Sequence, residues 1–311
     1  MRVHTRQSSE IGTTTITYEF DARGNRTLMT VEGTGIFDDQ NYFTAYEYDL
    51  NNRLLTETRT ETNTGILAVN VVEITDYTYD ANGNQLTRFT NTLRAQNDPL
   101  SVIIFAIGGN NAATRRPIAE VTEYNVWNQI VSVVNTNYTV YYTYLPNGMR
   151  HSKTVSGRNI SGRQTTTHVW DGMHIVAELN NHGNVQNLFI RGIGLIRSHH
   201  HGWYLHNART DVIQRVNDDG EILHTYRYNA FGAELAPCED NTNPFRFSGE
   251  YWDFATGTYY LRGRAAYDPH TGRFTQPDPF WGIHNMTNSP AARMQSGNLY
   301  AYVMNNPVLC L

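Results

Sequence analysis

Chemistry is most tempting at Ser198-His199-His200-His201-Gly202-Trp203-Tyr204-Leu205-His206-Asn207, where four of the chain's 12 histidines crowd together. Imidazole is a common metal ligand, so a metal centre is the chemistry to weigh. Neighbouring residues on a strand face opposite ways, so at most His199 and His201 share a face, and no Cys or carboxylate stands at ligand spacing. The pattern reads as an ordinary strand edge with His206 structural, and no metal or other cofactor is expected. Cys238 and Cys310 make no disulfide framework, and neither is expected to pair. A Gly-rich phosphate loop, a zinc-ligand set and a nucleophile elbow are all missing, so a generic hydrolase has no support.

Charge narrows the partners. The net charge is -5, only Lys153 among the 24 basic residues is a lysine, and the arginines are dispersed, so no nucleic-acid footprint exists. MRVHTRQSSE has no apolar core of a signal peptide, so none is expected on this chain. Val102 to Ile107 is the longest apolar run, too short to span a bilayer as a helix, and no membrane insertion is expected.

The elements that would position any site come from a recurring pattern: aromatic, any residue, aromatic, Asp or Asn, then a Gly/Asn turn. Clear copies are Tyr18-Glu19-Phe20-Asp21 with Gly24, Tyr46-Glu47-Tyr48-Asp49 with Asn51-Asn52, and Tyr77-Thr78-Tyr79-Asp80 with Gly83. Weaker copies start at Tyr124, Tyr142 and His168, and a last good one is Tyr226-Arg227-Tyr228-Asn229 with Gly232. Residues i and i+2 of a strand share a face, so each copy presents paired rings. The Asp can bond the backbone two residues on, and Gly supplies a positive φ. Each copy is therefore a hairpin that must bury its rings against the next. A propeller or sandwich is the alternative, but its blades would recur at near-constant spacing, unlike starts at 18, 46, 77, 124 and 142.

The pattern lapses near 89–116, where an insertion with a buried strand or short helix at Val102 to Ile107 is expected. A second lapse at 156–167 reads as an exposed loop broken by Gly157 and Gly162, and Leu188 to Ile196 as one more strand. From Asn243 to Pro307, aromatics and arginines alternate with turn residues, and Tyr259-Tyr260-Leu261-Arg262, Asp268-Pro269-His270-Thr271 and Gly272-Arg273-Phe274 read as strand, turn, strand.

The clean copies resemble the YD repeat, and Asn243 to Pro307 closely resembles the RHS-repeat-associated core that ends the repeat region of RHS and YD-repeat proteins. The resemblance implies an all-β chain of consecutive hairpins forming a spiralling curved sheet, with repeats over 1–232 and the core over 233–311. It implies a structural shell segment that encloses or delivers a C-terminal toxin, with a neighbouring RHS polypeptide or toxin cargo as partner and a secreted or cell-surface setting for the family. Carbohydrate binding through exposed ring pairs is the alternative. In many family members the core is an aspartyl autoprotease cutting after Asp-Pro-x-Gly-Leu, and by motif position Arg264, Asp268 and Asp278 match its Arg and Asp residues. Arg264-Ala265-Ala266-Tyr267-Asp268 is one residue longer than the family's Arg-Tyr-Tyr-Asp, and the chain ends Asn306-Pro307-Val308-Leu309-Cys310-Leu311 without the cleavage motif. The expectation is therefore no self-cleavage, with Asp278 structural.

Overall fold

The computed structural model describes residues 2–9, 12–35, 41–61, 69–96, 118–238, 240–262, 266–279 and 297–307. It divides into two compact units, Met1–Val121 with Phe280–Met304 and Thr122–Pro279 with Asn305–Leu311. Both are built from antiparallel strands joined in sequence order, and no α-helix occurs among the described residues, so the chain is all-β as its repeats require.

In the first unit β1 (Arg2–Ser9), β2 (Gly12–Phe20), β3 (Arg26–Gly35), β4 (Tyr42–Tyr48), β5 (Leu54–Glu61), β6 (Val69–Tyr79) and β7 (Gln85–Gln96) pair each with the next. Residues 118–121 of β8 (Ile118–Tyr124) pair with β7. In the second unit the run continues through β9 (Ile130–Val134), β10 (Tyr138–Tyr144), β11 (Arg150–Gly157), β12 (Gln164–Asp171), β13 (His174–Leu179) and β14 (Val185–Arg191). It ends with β15 (Leu195–Ser198), β16 (Gly202–His206), β17 (Val212–Val216) and β18 (Ile222–Thr225). A smaller sheet follows: β19 (Tyr251–Asp253), β20 (Thr258–Tyr260), β21 (Ala266–Asp268) and β22 (Arg273–Phe274).

One turn recurs at residues starting 21, 49, 80, 125, 145, 180, 207, 217 and 229. In each, the first residue's N–H reaches the carbonyl four residues on, and the fourth residue's N–H returns to the first residue's carbonyl. That closure forces the fourth residue into the left-handed region, where Gly24, Gly83, Gly148, Gly183, Gly220 and Gly232 sit, and where Asn52 and Asn128 stand in for glycine. At most of these turns a side-chain oxygen of the first residue fixes the corner: Asp21 Oδ1 accepts from the N–H of Arg23 and of Asn25, both at 2.8 Å.

The ring pairs then divide their work. Tyr18, Tyr46, Tyr77, Tyr142 and Tyr226, each the first of its pair, are buried. The second ring reaches backward. Tyr48 Oη donates to the Arg26 carbonyl at 2.9 Å, Tyr79 to Leu54 at 3.0 Å, Tyr144 to Ile130 at 2.8 Å and Tyr228 to Val212 at 2.9 Å. Each acceptor is the residue that directly follows an earlier turn, those starting at 21, 49, 125 and 207, so one hydroxyl ties each of these hairpins to an earlier one. Asn298 and Tyr300 act similarly in the first unit: Asn298 Nδ2 donates to Asn25 Oδ1 at 2.8 Å and Tyr300 Oη to the Gly83 carbonyl at 2.8 Å.

Several sequence expectations need correction. Leu188 to Ile196 is not one strand, because residues 192–194 turn and separate β14 from β15. Residues 199–201 form the turn after β15 rather than a strand edge, since Ser198 pairs with Gly202. The copy at His168 closes a two-residue hairpin, Asp171 opposite His174, in place of the recurrent turn. Residues 273–274 pair with β21, whose other edge is taken by β20, so Tyr259 and Tyr260 lie one strand further away than expected. Over 156–167, β11 runs to Gly157 and β12 begins at Gln164, leaving 158–163 as the connection. Val102 to Ile107 lies outside the described residues.

Two outcomes test these devices. Tyr144→Phe removes a hydroxyl from a half-buried latch and is expected to lower unfolding free energy by about 1 kcal/mol in urea titration. Thr210 is a β-branched residue held at φ 63 in the turn starting at Asn207. Thr210→Asn is expected to raise stability by roughly 0.5–1 kcal/mol, since Asn tolerates that conformation.

Candidate functional site

The expected autoprotease residues are placed as follows. Asp268 ends β21 and is buried, its Oδ1 accepting the His270 N–H at 2.8 Å across the turn to β22. Asp278 is half-buried in the irregular segment after β22, and Arg264 lies outside the described residues. His206 is tied to the fold, with Nδ1 3.0 Å from the Thr210 carbonyl and Nε2 2.7 Å from that of Leu195.

Among the described residues a dense charged constellation lies elsewhere, within the second unit. Strand register puts Tyr142 opposite Lys153, Lys153 opposite Thr166, and His168 opposite Glu178, so one face of β10 to β13 carries Tyr142, Lys153, His168 and Glu178 together. β19 brings Tyr251 and Asp253 against them. Asp253, 1% exposed, accepts from Tyr142 Oη at 2.8 Å and Arg150 Nη1 at 3.0 Å through Oδ2, and from Lys153 Nζ at 3.2 Å through Oδ1. Arg150 is ringed by Tyr142, Tyr251 and Tyr260, their centroids 5.3, 4.8 and 4.3 Å from its Cζ. Glu178 Oε1 accepts from Tyr251 Oη at 2.8 Å and lies 3.9 Å from His168 Nε2.

Electrostatics separates the two carboxyls. Burial pushes Asp253 upward, but the Lys153 and Arg150 cations and the Tyr142 hydroxyl outweigh it and leave its pKa below the ordinary carboxylate value. Burial dominates at Glu178 and raises its pKa, against the Tyr251 hydrogen bond and the same two cations. Burial, then Arg150 and Lys153, hold His168 neutral with its pKa well below 6.5.

A neighbouring polar network holds the Asn243–Arg246 stretch. Arg215 donates to the Tyr226 hydroxyl at 2.8 Å and Asn241 Oδ1 at 3.1 Å, Tyr204 Oη donates to Asn243 Oδ1 at 2.6 Å, and Arg246 is paired with Glu234 at 2.9 Å.

None of Arg150, Lys153, Glu178 or Asp253 stood out in the motif reading. Two signals were available. Lys153 is the chain's only lysine and falls within a strand pattern, and Arg150 follows its turn at the same offset as Arg26, each five residues after the turn begins. Asp253 had no signal, because its partners are 100 and 103 residues away.

The second unit is thus a run of successive antiparallel hairpins with a terminal aromatic and arginine-rich segment packed on one of their faces. Residues 193–308 match the family model Teneurin YD-shell. Over 178 residues the chain is 32% identical to the tRNA3(Ser)-specific nuclease WapA of Bacillus spizizenii, covering 54% of this chain and 7% of that protein. It is 26% identical over 244 residues to the double-stranded DNA deaminase toxin A of Burkholderia cenocepacia, covering 66% of this chain and 16% of that one. A TcdB2–TccC3 crystal structure without the hypervariable C-terminal region aligns with all of this chain and 18% of that one, at 17% identity and a TM-score of 0.46. The chain thus spans under a fifth of the length of these relatives. Over these residues the chain is similar to proteins of the RHS/YD type.

Removing Asp253 leaves two buried cations without a counter-ion, so Asp253→Asn is expected to cost about 3–5 kcal/mol of stability in chemical denaturation. For pH, His168 is protonated below 6.5 only in the unfolded chain, so its contribution to stability is lost as pH falls through that value. Glu178 has the opposite sign: its raised pKa stabilises the fold at low pH and is lost as pH climbs above 4.5 through the folded value. His168→Gln should therefore show a flatter stability profile below 6.5 than wild type, measured by urea midpoints across pH.

Proposed function

We propose that this chain is a wall segment of an RHS/YD-repeat shell of the polymorphic-toxin type, one that encloses or delivers a C-terminal toxin and has no catalytic role toward an external substrate. The observation that carries the reading is the burial of the first ring of each pair at Tyr18, Tyr46, Tyr77, Tyr142 and Tyr226 together with the backward bond of the second. Rings spent this way hold the hairpins together and are not free for a sugar to stack on, which favours the wall over carbohydrate binding through the ring pairs. The match to a shell model over 193–308 supports it, and so do the toxin and nuclease names of the longer relatives, whose activities are those of the whole proteins. On this reading the partners are the toxin cargo and adjoining RHS polypeptide, the family's secreted or surface setting applies, and Asp268 and Asp278 hold turns.

Protease protection tests it. In a polypeptide carrying this segment, the region C-terminal to the shell should resist added protease, and Arg150→Ala with Asp253→Ala should expose it. Equal digestion with and without the substitutions would overturn the reading.

A further inference from the structure

The chain's only lysine is buried against a buried carboxylate, with a second carboxyl beside them. Lys153 and Asp253 have side chains 5% and 2% exposed, and Nζ stands 3.2 Å from Oδ1. The rings of Tyr251 and Phe254 lie over Nζ, both centroids at 5.2 Å, and exclude water from it. Asp253 Oδ2 is engaged separately by Tyr142 Oη and Arg150 Nη1, so the two oxygens of one carboxylate are chemically distinct. Oδ2 is held by two donors that would stabilise negative charge on it, while Oδ1 faces the amine alone.

We propose that Lys153 and Asp253 condense into an intramolecular amide that staples β11 to β19. Nζ attacks Cγ, the Nζ–Cγ bond forms and the Cγ–Oδ1 bond breaks. Of the three ammonium protons, one stays on the amide nitrogen and two leave with Oδ1 as water, so an ammonium and a carboxylate become a neutral amide and one water with no oxidant or co-reactant. Oδ2 becomes the amide carbonyl, with its charge during the attack borne by Arg150 and Tyr142. Glu178 is the proton relay: it lies on the same sheet face, bonded to the Tyr251 hydroxyl, and burial raises its pKa so that it takes up and returns a proton readily. The exchange removes two charges that water no longer solvates, and Arg150 keeps the amide oxygen and the rings of Tyr142, Tyr251 and Tyr260 as its partners.

The sequence makes the test unusually direct. A lysine-specific endoprotease has one site in this chain, after Lys153, and an acylated lysine is not a substrate. The purified 311-residue chain, fully denatured, should weigh one water less than its sequence and resist that protease, and Lys153→Arg should restore the full mass. A chain of full mass that splits into residues 1–153 and 154–311 would overturn the proposal. For the relay, Glu178→Gln should leave a fraction of folded chain uncondensed by intact mass, and condensation as complete as wild type would remove Glu178 from the step.

Discussion

A tyrosine hydroxyl bonded to the carbonyl just beyond an earlier turn is the contact on which the rest of this architecture depends. A hairpin alone is marginal in water, because its rings bury only one side and its outer strand lacks a partner. The backward bond supplies register as well as stability. Tyr48, Tyr79, Tyr144 and Tyr228 each reach an acceptor at the same offset from an earlier turn, so a slip by one residue would lose the bond and turn every ring to the wrong face. This explains why uneven spacing between repeats is tolerated. Insertions can lengthen a strand or loop between two turns, provided the aromatic pair and the preceding turn keep their own local geometry.

Much of this was legible in the sequence. The turn chemistry at Asp21, Asp49 and Asp80 needs only local rules, a carboxylate oxygen for the backbone and a residue that accepts positive φ, and both were visible. What escaped was the same backbone turn without its usual residues. The turn from Asn207 uses Thr210 where Gly is the usual choice. The weaker copy at Tyr142 was visible and forms the same turn from Leu145, with Asn147 Oδ1 accepting from Met149 N–H at 3.1 Å because the first position has no side-chain oxygen. The strand assignment at Leu188 to Ile196 failed because Gly192 and Gly194 lie inside a run whose apolar alternation continues across the turn. Alternation reports which face is buried, and it survives a hairpin whose two strands belong to one sheet.

The charged cluster was illegible for a different reason. Its members are spread over β10, β11, β12, β13 and β19, and no local rule marks an aspartate that will meet cations 100 residues earlier. Contacts of that span are set by how the terminal segment packs, which propensity and periodicity do not encode.

The repeat nonetheless prepares the site that this segment occupies. Arg26 and Arg150 hold the same place after their turns, both buried, and both face tyrosines of their own and neighbouring strands, with Arg26 4.7 Å from the Tyr18 centroid and 5.7 Å from that of Tyr46. A guanidinium stacked on rings still carries a full charge, and in a buried setting it favours any arrangement that brings a carboxylate within reach. Asp253 meets that demand at Arg150 and, from the same carboxylate, at Lys153. A buried ion pair adds little net stability over an apolar contact of equal volume, but it strongly penalises misplacement, because a segment shifted by one residue would bury the cations alone. The cluster therefore acts chiefly as a register mark: aromatic burial makes the terminal segment adhere to the hairpins, and the charges decide where.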